Sequence, residues 1–208
     1  MVCVVTSANR QRWQPELDSM FHDRKLVFVD RLKWDLKVQD GLYERDQYDT
    51  DQAAYLISAD AKTHAHICSM RLMPTTGPHL LKDVFPDLCD GEIPVGDDIW
   101  EVTRLCTSPS LKGDAARNAR RHLSIAMVEF GLLYGLTRLT MITHMEYLSR
   151  LLAVGWECRP LGLPKERQGQ LFGAMEVSIT PATLEAIRMQ FGGPDRSLLE
   201  LEGVTVAA

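Results

Sequence analysis

Asp98-Ile-Trp-Glu-Val-Thr-Arg-Leu-Cys-Thr-Ser-Pro109 reads as a core strand carrying charges that it cannot easily hide. Isoleucine, tryptophan, valine, leucine and threonine favour a strand, and Ser108-Pro109 ends it. Side chains alternate between faces along a regular strand. Glu101 and Arg104, three apart, therefore point opposite ways unless a bulge resets the phase. A buried charge is costly unless it is paired or bound to a ligand, so two of them on one apolar strand point to a site. The same pair would also suit an edge strand with both charges reaching water.

Outward from this strand, the 208 residues and 45% hydrophobic content suffice for one well-filled domain over 1–208. A net charge of -5 argues against general affinity for nucleic acid or an anionic membrane, while leaving room for a local basic patch. The five cysteines form no CxxC pair and are odd in number, as expected of reduced thiols. The start Met-Val-Cys-Val-Val lacks the basic opening and long apolar core of a signal peptide, and no apolar run approaches membrane-spanning length. A cytoplasmic protein without membrane insertion is expected.

Residues 2 to 6 suit a first strand, and Ser7-Ala-Asn9 can cap a helix from about 10 to 29. From Asp30 to Thr50 the chain is dense in charge and aromatics without a clean period, which suits a functional loop. Strands near 53 to 59 and 65 to 72 flank a turn at Asp60-Ala-Lys-Thr63. Pro74 to Pro78 breaks the pattern, and Leu80 to Pro86 looks like a short helical turn. After the 98–107 strand come a helix over 115–134, a strand over 137–143 and a helix over 145–153. Strands over 156–160 and 171–179 and a helix over 182–191 complete the body. Hairpins in the first half and strand–helix alternation in the second imply a mixed sheet with helices on both faces.

The 30–49 loop gathers Asp46 and Asp49 beside Trp34 and Phe28, with Arg24 one helical turn before Phe28. Carboxylates suit an ammonium, a guanidinium suits a carboxylate, and aromatic faces suit an adenine or a sulfonium. Together they describe a ligand like S-adenosylmethionine, although a solvated loop pinned by aromatics would look the same. Arg71 can meet these acids or Glu101, or form a structural ion pair. Lys112, Arg117, Arg120 and Arg121 cluster at the start of the long helix, where cations oppose the helix dipole unless an anion joins them. A phosphopantetheine phosphate or an acidic carrier protein would serve, and so would plain solvation.

In order and spacing, these residues resemble the acyl-homoserine-lactone synthases, the LuxI-type autoinducer synthases of bacterial quorum sensing. The resemblance rests on Arg24, Phe28, Trp34, Asp46-Gln-Tyr-Asp49, Arg71, the Met73-Pro-Thr-Thr-Gly-Pro78 turn and Trp100-Glu-Val-Thr-Arg104, and it weakens towards residue 192. It implies a GNAT-like three-layer α/β/α sandwich with a central mixed, V-shaped β-sheet, commonly bulged in the 98–107 strand. It implies acyl transfer from an acyl thioester, on acyl carrier protein or coenzyme A, to S-adenosylmethionine, followed by lactone closure. No cofactor and no metal are required.

On this reading Glu101 is the general base. Arg24 and Arg104 position carboxylate and polar groups, Asp46, Asp49 and Arg71 order the loop, and Phe28 with Trp34 walls the adenosyl side. Met70, Trp100, Leu123, Met127, Met141, Thr143 and Leu152 are the candidates for the acyl pocket, each equally at home in an ordinary core. Thr143 permits contact with a 3-oxo group and Met141 argues against it. Leu105 and Met70 depart from the aromatic residues common at those positions. Two other readings fit the residues: an N-acyltransferase acting on a different amine, and a non-catalytic sensor of an adenosyl ligand.

Overall fold

The elements that bury a continuous apolar face lie where hydrophobic periodicity places them, and the exceptions are short or polar. The computed structural model describes residues 1–152, 154, 156–167 and 169–201. In chain order these form β1 (Val2–Val5), α1 (Gln14–Arg24), a π-helical turn (Lys25–Arg31), β2 (Val38–Gln39), β3 (Tyr43–Glu44), β4 (Ala54–Ala59) and β5 (His66–Pro74). Next come α2 (Leu80–Asp83), a 3-10 turn (Pro86–Leu88), β6 (Ile99–Thr107), α3 (Gly113–Leu133), β7 (Arg138–His144) and α4 (Met145–Leu152). The chain closes with β8 (Cys158–Pro160), β9 (Lys165–Arg167), β10 (Gln170–Ser178), α5 (Pro181–Phe191) and β11 (Leu199–Glu200).

Two compact units divide the chain. One takes 1–72, 104–127 and the described residues from Arg196, and the other takes 73–103 and 128–195. In the first, strands run in the order β11-β1-β4-β5, with β1 parallel to β11 and antiparallel to β4. All four residues of β1 are buried, as its apolar run requires. The β4–β5 hairpin turns on Asp60, whose Oδ1 accepts the N–H groups of Lys62 and Thr63 at 3.0 and 2.8 Å. Helix α1 buries Leu17, Met20 and Phe21, and Phe21 meets Tyr55 of β4 edge-on at 6.0 Å.

In the second unit the order is β6-β7-β10-β8, with β9 beside β10. β6 and β7 are parallel, a pairing that needs a long crossover, and the α3 segment supplies it. β7 and β10 are antiparallel over seven pairs, from Phe172↔His144 to Ser178↔Arg138. Leu81, Leu88 and Ala174 form a buried cluster ringed by Phe85, Ile93, Ile142, Leu161 and Phe172. The sheet is mixed, as expected.

Three differences have physical causes. The expected helix over 10–29 begins later, because Asn9 ties a turn instead of capping. Its Oδ1 accepts the Thr6 N–H at 2.8 Å and its Nδ2 donates to the Val4 carbonyl at 2.9 Å. From Lys25 that helix widens into the π turn, where the Leu32 N–H reaches the Val27 carbonyl at 3.0 Å. β2, β3, β9 and β11 are only two or three residues long and carry too little alternation to be read.

Candidate active site

Within β6, where a bulge is expected, one residue has left-handed backbone. Arg104 has φ +52°, a conformation that costs a non-glycine residue about 1–2 kcal/mol. Burial along β6 is also out of phase, with Glu101 and Val102 buried in succession. In the first unit Arg104 then joins a set of ion pairs. Its Nε and Nη2 donate to Glu44 Oε1 at 3.3 and 3.1 Å, and Nη2 also reaches Asp46 Oδ2 at 2.7 Å.

Arg24 closes α1 and is fully buried. Its Nε donates to Glu44 Oε2 at 2.5 Å, and Nη1 and Nη2 form a fork on Asp49 at 2.9 and 3.0 Å. Arg71, from β5, forks onto Asp46 at 2.5 and 3.1 Å and stands 2.9 Å from Asp49 Oδ1. Tyr55 Oη donates to the same Asp49 oxygen at 2.9 Å. The loop is built to deliver these acids: Asp46 Oδ1 accepts the Tyr48 N–H and Asp49 Oδ2 accepts the Asp46 N–H, each at 2.9 Å. Burial pushes the Asp49 carboxyl up, but Arg24 and Arg71 outweigh it and hold the group well below the usual carboxylate range. The Arg24 and Arg71 guanidiniums are raised, the attraction of their carboxylates exceeding the opposing effect of burial. Burial and then Asp49 push the Tyr55 hydroxyl up.

Three arginines and three carboxylates thus neutralise one another. Every nitrogen of Arg24 already donates to a carboxylate, which ties α1 to the acidic loop. Arg104 differs. Among the described residues its Nη1 carries no hydrogen bond, and its guanidinium lies 5.7 Å from the Phe28 ring centre. Phe28 stacks on Trp34 at 5.0 Å and 6°, backed by Val27 and Cys106. An open cationic donor beside an aromatic pair suits a ligand with a carboxylate and a flat or cationic group.

Sequence reasoning missed Glu44 and Tyr55. Glu44 stands in the charged run that drew attention to the loop, but only the fold reveals that it is fully buried between two arginines.

In the second unit Glu101 is also fully buried. Its Oε1 accepts the Leu80 N–H at 2.8 Å and its Oε2 the Leu81 N–H at 2.7 Å, at the start of α2. Trp100 on the opposite face of β6 touches Phe130 and Tyr134 edge-on, at 5.7 and 5.9 Å. Met141 is buried and Thr143 half-buried on the same face of β7, where Met141 pairs with Val102 and Thr143 with Gly173. Leu152 is 44% exposed at the end of α4. Met70, Leu123 and Met127 are buried in the first unit, and Leu105 is exposed. Lys112, Arg117 and Arg120 are exposed and Arg121 half-buried. Arg117 donates to Asp114, so the first turn of α3 supplies one of the anions the cluster calls for. Among the described residues, no group of three or more His, Cys, Asp or Glu could hold a metal ion.

A mixed sheet with helices is the fold that the chain shares with solved acyltransferases. An acyl-CoA N-acyltransferase from Pseudomonas aeruginosa, 13% identical, shares it with a TM-score of 0.56 over 85% of this chain and 97% of its own. Residues 8–187 match the model of the family described as autoinducer synthase, and the chain belongs to that family. An acyl-homoserine-lactone synthase of Ralstonia nicotianae is 31% identical over 81% of this chain and 85% of its own length. An isovaleryl-homoserine lactone synthase of Bradyrhizobium diazoefficiens is 29% identical over 98% and 90%. The solved structure of BjaI, a CoA-dependent acyl-homoserine lactone synthase with SAM and isopentyl-CoA, is 28% identical. It superimposes with a TM-score of 0.86 over 96% of this chain and 93% of its own.

Proposed function

We propose that this chain makes an N-acyl-L-homoserine lactone from S-adenosylmethionine and an acyl thioester, releasing methylthioadenosine. The observation that carries the reading is the neutral arginine–carboxylate network, with Arg104 left one open donor beside the Phe28–Trp34 stack. Structures of the relative BjaI with SAM and isopentyl-CoA, and with MTA, support it. S-adenosylmethionine is a co-substrate in this scheme, which calls on no cofactor.

The chemistry runs in two steps. The amine loses a proton and attacks the thioester carbonyl, and the tetrahedral oxyanion collapses with loss of the thiolate. The ligand's own carboxylate oxygen then attacks the carbon bonded to the sulfonium sulfur. That C–S bond breaks with its electrons going to sulfur, and methylthioadenosine departs. Arg104 would steer the carboxylate, Phe28 and Trp34 would wall the adenosyl group, and the ordered Asp46–Asp49 turn would hold Arg71 and Arg104 in place. Glu101 is the proposed base, a buried carboxylate held in place by two backbone N–H groups at the start of α2. Trp100, Met141 and Thr143 are the proposed acyl contacts. Lys112, Arg120 and Arg121 would attract the phosphate of a phosphopantetheine donor, whether on coenzyme A or on acyl carrier protein. A cytoplasmic location fits five free thiols and the absence, among the described residues, of any helix long and apolar enough to cross a membrane.

Purified protein given S-adenosylmethionine and a series of acyl thioesters should yield methylthioadenosine and an acyl-homoserine lactone in equal amounts by mass spectrometry. Glu101→Gln should lose turnover while keeping its affinity for S-adenosylmethionine. Wild-type turnover in that variant would remove Glu101 as base. Amide without methylthioadenosine would indicate a plain N-acyltransferase, and binding without turnover would indicate a sensor.

A further inference from the structure

Behind the arginine–carboxylate network lies a second buried polar group that the proposed chemistry does not use. Asp23 immediately precedes Arg24, and its Oδ2 sits 2.8 Å from Nδ1 of His66 on β5. Nε2 of the same ring lies 2.9 Å from Oγ of Ser69. The backbone N–H of His66 donates to Oγ of Ser19, one turn earlier in α1, at 2.9 Å. The His66 side chain and Ser69 are fully buried, and the Asp23 side chain is 13% exposed. The order of contacts is that of a hydrolase triad, but a hydroxyl sealed from solvent cannot meet a substrate.

Position gives the group another task. A register shift in the β4–β5 ladder pairs Ser58 with Cys68 and Ala59 with His66, leaving one extra residue on β5. That shift turns His66 onto the same face as Ser69 and Arg71. The bonded set therefore touches both arginine-bearing elements: α1 one residue before Arg24, and β5 two residues before Arg71. Those arginines approach one oxygen, Asp49 Oδ1, each at 2.9 Å. A slide of α1 along β5 by an ångström would open one of these contacts and loosen the loop that holds Arg104.

We propose that Asp23, His66 and Ser69 form a positioning brace between α1 and β5 that sets how tightly S-adenosylmethionine is held. This rests on the reading of the network as the S-adenosylmethionine site. Polar contacts with direction suit the role, because apolar packing alone resists sliding less than hydrogen bonds at both ends of one rigid ring.

The test uses the full chain, calorimetric titration with S-adenosylmethionine and steady-state kinetics in both substrates. Ser69→Ala is the mildest variant, with Asp23→Asn and His66→Ala alongside. Each should raise the Kd and KM for S-adenosylmethionine about tenfold while leaving the KM of the thioester unchanged. His66→Gln, which restores a donor and an acceptor, should recover part of the loss. Ile187→Ala, in the buried face of α5, provides a matched fall in Tm and should leave the affinity unchanged. Lower Tm with wild-type affinity in every brace variant would overturn the proposal. Arg104→Ala separates the two layers. If it weakens binding while the brace variants do not, the brace alone falls; if it too binds normally, the site reading falls and the brace with it.

Discussion

Glu44 accepts from Arg24 with one oxygen and from Arg104 with the other, and no part of it reaches solvent. Glu44→Gln keeps the shape but removes one of three negative charges, turning an amide NH2 towards one of the two guanidiniums. Breaking one partner out of a buried ion pair costs about 3–5 kcal/mol, so the variant should lose stability on that scale in urea unfolding. A loss under about 1 kcal/mol would mean that Arg24 and Arg104 are held by Asp49 and Asp46 alone. The residue types that build this site were legible: arginines, acids and aromatics at a distinctive spacing. Their division of labour was not, since the sequence treats Arg24 and Arg104 as equals. Only the fold separates the guanidinium whose every nitrogen is bonded from the one whose Nη1, among the described residues, is not.

At the level of elements, the apolar period located β4, β5, β6, α3 and β7 to within about two residues, because each buries a continuous face. The π turn after α1 was invisible, as it depends on i→i+5 bonding that no residue type specifies. The parity conflict between Glu101 and Arg104 signalled irregular backbone, and the left-handed Arg104 is one such irregularity. Helix α3 offers a prediction of its own. Its N-terminal half carries an exposed Arg120 and a half-buried Arg121, with Lys112 exposed just before it, while Arg117 is partly neutralised by Asp114. Reversing Arg117, Arg120 and Arg121 to Glu should raise the KM of a donor on acyl carrier protein about tenfold and that of a small acyl thioester much less. Equal changes for both donors would show that this face docks no carrier protein.

Across the whole molecule, alternating hairpins and crossovers revealed a mixed sheet, but little marked the division into two units. β5, β6 and α3 each contribute residues to both, so three of the boundaries fall inside a strand or helix, and only the one after Asp195 follows a glycine–proline stretch. The first unit concentrates three buried carboxylates in one network, and this shapes the response of the whole chain to acid. Asp49 has its folded pKa held below the ordinary 3.8, so between the two values the unfolded chain binds more protons than the folded one. Its contribution to stability is therefore complete above about pH 4 and is lost as pH falls through the folded value. Urea midpoints measured from pH 7 down to about pH 2.5 should stay level to about pH 4 as far as this group is concerned, then drop. Asp49→Asn should start lower at pH 7, because Arg24 and Arg71 lose a charged partner, and should fall less steeply in acid. Parallel curves for the two proteins would show that the acid sensitivity of this chain lies in other carboxylates.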